Sequence, residues 1–102
     1  MIPLDIHTHR LPDEPGTAVV SLEAGEGLAL PSSPCSVGIH PWHITEGWQA
    51  QMDTLARLAA SPQMVALGEC GLDKACLKTL LPTERGAAFA LQEEVFEAHV
   101  RL

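Results

Sequence analysis

The pair His7 and His9 closes a short apolar run, Ile2-Pro3-Leu4-Asp5-Ile6. Residues two apart on a β-strand point to one face, so both imidazoles leave such a strand end on the same side. Imidazole is the usual protein ligand for zinc and its first-row neighbours, and two rings so placed can share one ion. Two further apolar runs end on comparable groups. His40 follows Ser36-Val37-Gly38-Ile39, with His43 close behind, and Glu69 follows Met64-Val65-Ala66-Leu67-Gly68, with Asp73 four residues on. Imidazoles and carboxylates gathered at strand ends suit metal-assisted hydrolysis, in which a bound ion activates water and steadies charge on a leaving oxygen.

Taken singly, each residue has an ordinary reading. His-x-His occurs by chance. His40 before Pro41 suits a turn, a Glu at a strand end is usually solvated, and Asp73 suits a turn or a helix entry. His43 and His99 read as surface residues, and Trp42 and Trp48 as packing rather than substrate platforms. Cys35, Cys70 and Cys76 read as small core or near-surface residues.

The elements that must position these groups follow from periodicity. Strands are read at 2–6, 17–22, 36–39 and 64–68. Residues 10–16, 23–34 and 70–82 read as loops, rich in Pro and Gly in the first two cases. A helix is expected from about Thr45, as its cap, to Ala60, with Trp48, Met52, Leu55 and Ala59 on one face. A second helix is expected from about Thr83 or Glu84 to Leu102. Its apolar face would be Leu91, Val95, Ala98 and Leu102, widened by Phe89, Phe96 and Val100. Short apolar runs with intervening helices indicate an α/β fold with a parallel sheet. In such a sheet the C-terminal strand ends share one rim, where active sites lie. His7, His9 and Glu69 are expected to converge there, where His40, His43 and Asp73 could join them, with both helices on one sheet face.

The chain has 102 residues, 46% of them hydrophobic, which suits one small domain with a real core. Thirteen acidic residues against six basic ones give a net charge of -7. That argues against a sequence-independent grip on nucleic acid, because such a grip needs Lys and Arg to displace counterions. The basic residues Arg10, Arg57, Lys74, Lys78, Arg85 and Arg101 form no dense run. No segment approaches the ~20 apolar residues of a membrane helix, and no signal peptide is evident. An odd number of cysteines without Cys-x-x-Cys spacing points to a reduced, cytoplasmic compartment.

The motifs also carry a resemblance. Asp5-Ile6-His7-Thr8-His9, then Val37-Gly38-Ile39-His40-Pro41, then Leu67-Gly68-Glu69-Cys70-Gly71-Leu72-Asp73, then Gln92 with Phe96, occur in this order along nearly the whole chain. The series resembles the N-terminal half of the TatD family of metal-dependent hydrolases, within the amidohydrolase-like barrels. The resemblance implies a TIM-type (β/α) barrel, here its first half with parallel strands, so that residues 1–102 form the N-terminal part of one domain. It implies that His7 and His9 hold one metal and that Glu69, the catalytic residue, bridges two. His40 and Asp73 would meet substrate. The implied cofactor is one or two divalent ions (zinc, manganese, magnesium, iron or nickel), and the implied reaction is phosphodiester cleavage of DNA.

Two departures from that pattern bear on function. The stretch from Arg10 to Cys35 is short for the family, and the later metal-ligand histidines and aspartate have no counterpart here. Four strands cannot close an eight-stranded barrel. The expectation is therefore a chain covered by a missing C-terminal half or by self-association, and inactive by itself. The expected partners are a small phosphodiester or nucleic-acid substrate and no membrane. The competing expectations are a catalytically inactive fragment and an amide or ester hydrolase on the same scaffold.

Overall fold

The computed structural model describes residues 4–14 and 16–102. Four strands run in sequence order: β1 (Asp5–Thr8), β2 (Ala18–Glu23), β3 (Cys35–Gly38) and β4 (Met64–Leu67). They form one sheet of order β1-β2-β3-β4, and every neighbouring pair is parallel. Sequential parallel neighbours are how a (β/α) barrel begins. Helix α1 (Trp48–Leu58) joins β3 to β4, and α2 (Pro82–Arg101) follows β4.

The core forms on one face of the sheet. Val20 lies opposite Cys35 and Leu22 opposite Val37 in the β2–β3 register. Val20, Cys35, Val37 and Ile39 are buried against Leu55 of α1 and Val95 of α2. Both helices therefore cover the same face, as their apolar periodicity required. Trp48 and Met52 pack against this cluster, and Cys35 is wholly enclosed.

Several boundaries differ from the sequence reading. Residues 2 and 3 of the expected first strand, and Pro15 of the following loop, lie outside the described residues. The strand extends to Thr8, so His7 lies on it rather than after it. Thr45 does not cap α1. Its Oγ1 accepts the Gly47 N–H at 3.3 Å, and Gly47 takes the cap position, so the helix begins at Trp48. The expected loop at 70–82 contains a short 3-10 helix, Ala75–Thr79, and α2 starts earlier, at Pro82, whose fixed φ suits a first helical turn. The buried face of α2 is Gln92, Val95 and His99, while Val100 and Leu102 are exposed.

The sheet's outer strands carry exposed apolar side chains. Ile6 of β1 is 75% exposed, and Val65 and Leu67 of β4 are exposed too. No helix among the described residues is long and apolar enough to cross a membrane.

Candidate metal and substrate site

The site is built at the C-terminal ends of β1, β3 and β4. His7 and His9 leave β1 on one side, with ring centroids 5.1 Å apart. Glu69, two residues past β4, reaches across to them: its Oε1 lies 3.3 Å from His7 Nε2. One donor atom from each of His7, His9 and Glu69 lies within 4.8 Å of the others. The structure thus brings these three expected residues together.

What allows Glu69 to come so close is a glycine on the neighbouring strand. A Cβ added at Gly38 would stand 2.5 Å from the Glu69 carbonyl oxygen and 2.9 Å from the Gly68 carbonyl carbon. The Gly68 N–H still donates to the Val37 carbonyl at 3.0 Å. Gly38 therefore lets the β4 exit fold over the end of β3, and any side chain there would push Glu69 off the rim.

His40 stands at the end of β3, where the strand ladder gives way to side-chain partners. The Ile39 N–H donates to His99 Nε2 at 3.0 Å, and the His40 N–H donates to the Glu23 carboxylate at 3.0 and 3.3 Å. The His40 ring is then fixed by its own turn. Its Nδ1 accepts the Trp42 N–H at 3.1 Å. In the neutral ring the proton is assigned by that bond to Nε2. His40 Nε2 faces Glu69 Oε2 at 3.8 Å. It offers a hydrogen-bond donor at the rim rather than a metal-binding lone pair.

Asp73 stands outside the His7–His9–Glu69 group. Its Oδ2 accepts the Trp42 indole N–H at 2.7 Å and its Oδ1 accepts the Ala75 N–H at 2.7 Å. Gln92, 2% exposed, holds the Asp73 backbone from behind: its Oε1 accepts the Asp73 N–H and its Nε2 donates to the Asp73 carbonyl. Asp73 thus braces Trp42, a residue 60% exposed, beside His40, with ring centroids 5.2 Å apart. The reading of Trp42 as a packing residue is corrected by that exposure; Trp48 does pack.

Those bonds set the charge of Asp73. The Trp42 indole N–H first, and the Ala75 N–H second, hold its carboxyl below the ordinary aspartate value. A carboxyl whose folded pKa is depressed contributes stability above its unfolded pKa, and loses it as pH falls through the folded value. With Trp48→Phe as background, Trp42 emission should hold steady through the usual carboxylate range and change only below it. A transition at or above the ordinary value would contradict the brace.

Two residues of the site, Glu23 and His99, had no signal in the sequence, and Gln92 entered only through a motif. Glu23 ends β2, and besides the His40 N–H it meets His43 Nδ1 at 3.5 Å. His99, read as a helix-surface residue, is 2% exposed and tied to β3. Cys70, next to Glu69, is pushed up by burial, so its thiol stays protonated at neutral pH; it is no member of the donor group.

Residues 16–102 match the family described as TatD related DNase. The chain belongs to this family. The matched segment holds His40, Glu69 and Asp73; His7 and His9 precede it. Among curated proteins, the 3'-5' ssDNA/RNA exonuclease TatD of Erwinia tasmaniensis is 44% identical over 62 residues, covering 56% of this chain and 24% of that protein. The protein of the same name from Escherichia coli is 41% identical over 61 residues, covering 57% and 23%. The chain thus spans about a quarter of the length of the curated relatives it matches. No solved structure matches. Four parallel strands with helices on one face agree with part of a TIM-type barrel of the TatD family.

Proposed function

We propose that this chain supplies the first strands and half the active site of a metal-dependent nuclease acting on single-stranded nucleic acid. The observation that carries the proposal is the meeting of His7, His9 and Glu69 at one strand-end rim, all donor atoms within 4.8 Å. Two ligands of one zinc-like ion stand at most ~4.2 Å apart, given bonds of ~2.1 Å. A shift of about 1 Å would therefore close the set, and two imidazoles with one carboxylate are an open, catalytic type of donor set. The same donors accept zinc, manganese, iron or nickel, and magnesium where carboxylates predominate.

Bound there, a divalent ion supplies Lewis acidity: it lowers the pKa of water and stabilises charge on phosphodiester oxygens. The chain's own groups complete the task. Glu69 would be the catalytic carboxylate and would hold the metal together with His7 and His9. His40 Nε2–H donates to a non-bridging phosphate oxygen. Asp73 acts on substrate through Trp42, whose exposed ring offers a base a stacking surface, as aromatic side chains do for single strands.

The exposed apolar side chains of β1 and β4 favour a barrel completed by further strands, from the same polypeptide or from another copy. The three free cysteines favour a reducing, cytoplasmic setting. By itself the 102-residue chain should bind metal weakly and turn over nothing, because the rim is open on both sides. The test is a single-stranded DNA and RNA cleavage panel, with and without chelator. It is run on residues 1–102 and on the polypeptide read through its whole frame. Chelator-sensitive cleavage by the longer polypeptide alone is expected. Metal-independent cleavage, or metal-dependent turnover by residues 1–102 alone, would overturn the assignment.

A further inference from the structure

The six basic residues look scattered in the sequence, yet three of them meet in space. Lys74, Lys78 and Arg85 line one cavity of about 400 Å³ between the Ala75–Thr79 3-10 helix and the first turns of α2, with Leu77, Gly86 and Phe89. Half the chain's positive charge therefore faces one hollow in a molecule of net charge -7. Among the described residues, the ion pairs within 4.0 Å involve only His7, His40, His43 and Arg101 as cationic partners. Lys74, Lys78 and Arg85 have none, like Arg10 and Arg57, but they alone of these five share one cavity.

Two of the three heads meet uncharged groups instead. The Lys74 ammonium lies 4.9 Å from the centroid of the Phe89 ring. Arg85 donates to the Leu80 carbonyl through Nε at 3.1 Å and to the Lys78 carbonyl through Nη2 at 3.3 Å. A cation over an aromatic ring at an exposed site is worth only ~0.5–1 kcal/mol. A charge-assisted bond to phosphate is stronger, so Lys74 gains by leaving the ring for an anion, and its departure uncovers an aromatic face. Lys74, which lines the cavity, follows Asp73 directly in the chain, and Asp73 braces Trp42 beside His40.

We infer that this cavity is a nucleotide subsite for the strand lying beyond the scissile phosphodiester. Lys74 and Lys78 take backbone phosphate, and Phe89 stacks one base. The inference rests on the nuclease reading and extends it from the cleavage centre to the hold on the strand. Local cationic grip of this kind is how an acidic protein binds a polyanion without a basic surface overall.

The experiment measures binding of a fluorescein-labelled ten-residue oligothymidylate in chelator, so that no metal takes part, across a salt series. Lys74→Gln/Lys78→Gln removes both charges while keeping polar, unbranched side chains, and leaves the Arg85 contacts with the loop carbonyls in place. The double variant should bind at least ~10-fold more weakly. Its log-affinity against log-salt slope should flatten by about 1.4, because each phosphate contact on a single strand contributes ~0.7. Phe89→Leu should weaken binding with an unchanged salt slope. Unaltered affinity and slope in the double variant would overturn the subsite. Equal competition by poly-glutamate of matched charge would also overturn it, in favour of an acidic protein partner. Cleavage by the full-length polypeptide is scored separately. Cleavage retained with an unchanged KM in the double variant sinks the subsite and spares the nuclease reading. Binding lost in the variant, with no cleavage of any nucleic acid by the wild type, sinks the nuclease reading and spares the subsite.

Discussion

Glu69→Gln should lower divalent-metal affinity by more than the ~10–100-fold that loss of an outer-shell partner costs, because it removes a direct donor and its charge. The loss should be larger where two ions are bound. A carboxylate between two cations offsets their mutual repulsion, which grows as the local dielectric falls. Turnover in the full-length polypeptide should fall by orders of magnitude. Thermal stability of the metal-free protein should hardly move. The Glu69–His7 contact is half open to solvent, with side-chain exposures of 38% and 49%, and exposed ion pairs are worth about 0–1 kcal/mol. Isothermal titration with zinc or manganese, beside a thermal melt in chelator, separates the two effects. Glu84→Gln, in the exposed first turn of α2, is the control and should leave both measurements unchanged. Equal losses in the two variants, or a melt that collapses with Glu69→Gln, would mean that Glu69 serves folding rather than metal.

The groups that a strand positions by its period were readable in the sequence, and those that act across elements were not. His7 and His9 share a side because a strand alternates, and Glu69 joins them because parallel strands end on one rim. Trp42 gave a misleading signal, since a tryptophan usually packs. Its exposure follows from the indole N–H reaching Asp73, thirty-one residues away. The cationic cavity was invisible for a similar reason. Lys74, Lys78 and Arg85 are spread over twelve positions and converge only because a 3-10 helix turns the chain back on α2. The α2 face was misjudged at Val100 because periodicity counted apolar residues, whereas the buried stripe carries two polar ones, Gln92 and His99.

His99 shows why such a stripe is tolerated, and what its loss should cost. Its two ring nitrogens are both engaged in the core. Nε2 accepts the Ile39 N–H at 3.0 Å, and Nδ1 lies 2.8 Å from the Val95 carbonyl. A backbone N–H can only donate, so the bond to Ile39 assigns the ring proton to Nδ1, which donates to Val95. His99 thereby satisfies the peptide at which β3 leaves its ladder, immediately before His40. His99→Leu roughly keeps the volume but strands a buried N–H, a cost of about 1–3 kcal/mol. Each kcal/mol lowers Tm by roughly 4–8 °C in a domain of 60–100 residues. His99→Gln can restore an acceptor and should recover part of the loss. The readout that separates positioning from plain packing is the His40 ring, followed by its imidazole proton resonances. In His99→Leu they should broaden or shift as the β3 exit loosens, while those of His7, on the far strand, stay put. A leucine variant as stable as the wild type, with the His40 signal unmoved, would show that the Ile39 peptide finds another partner and that His99 does not hold the rim.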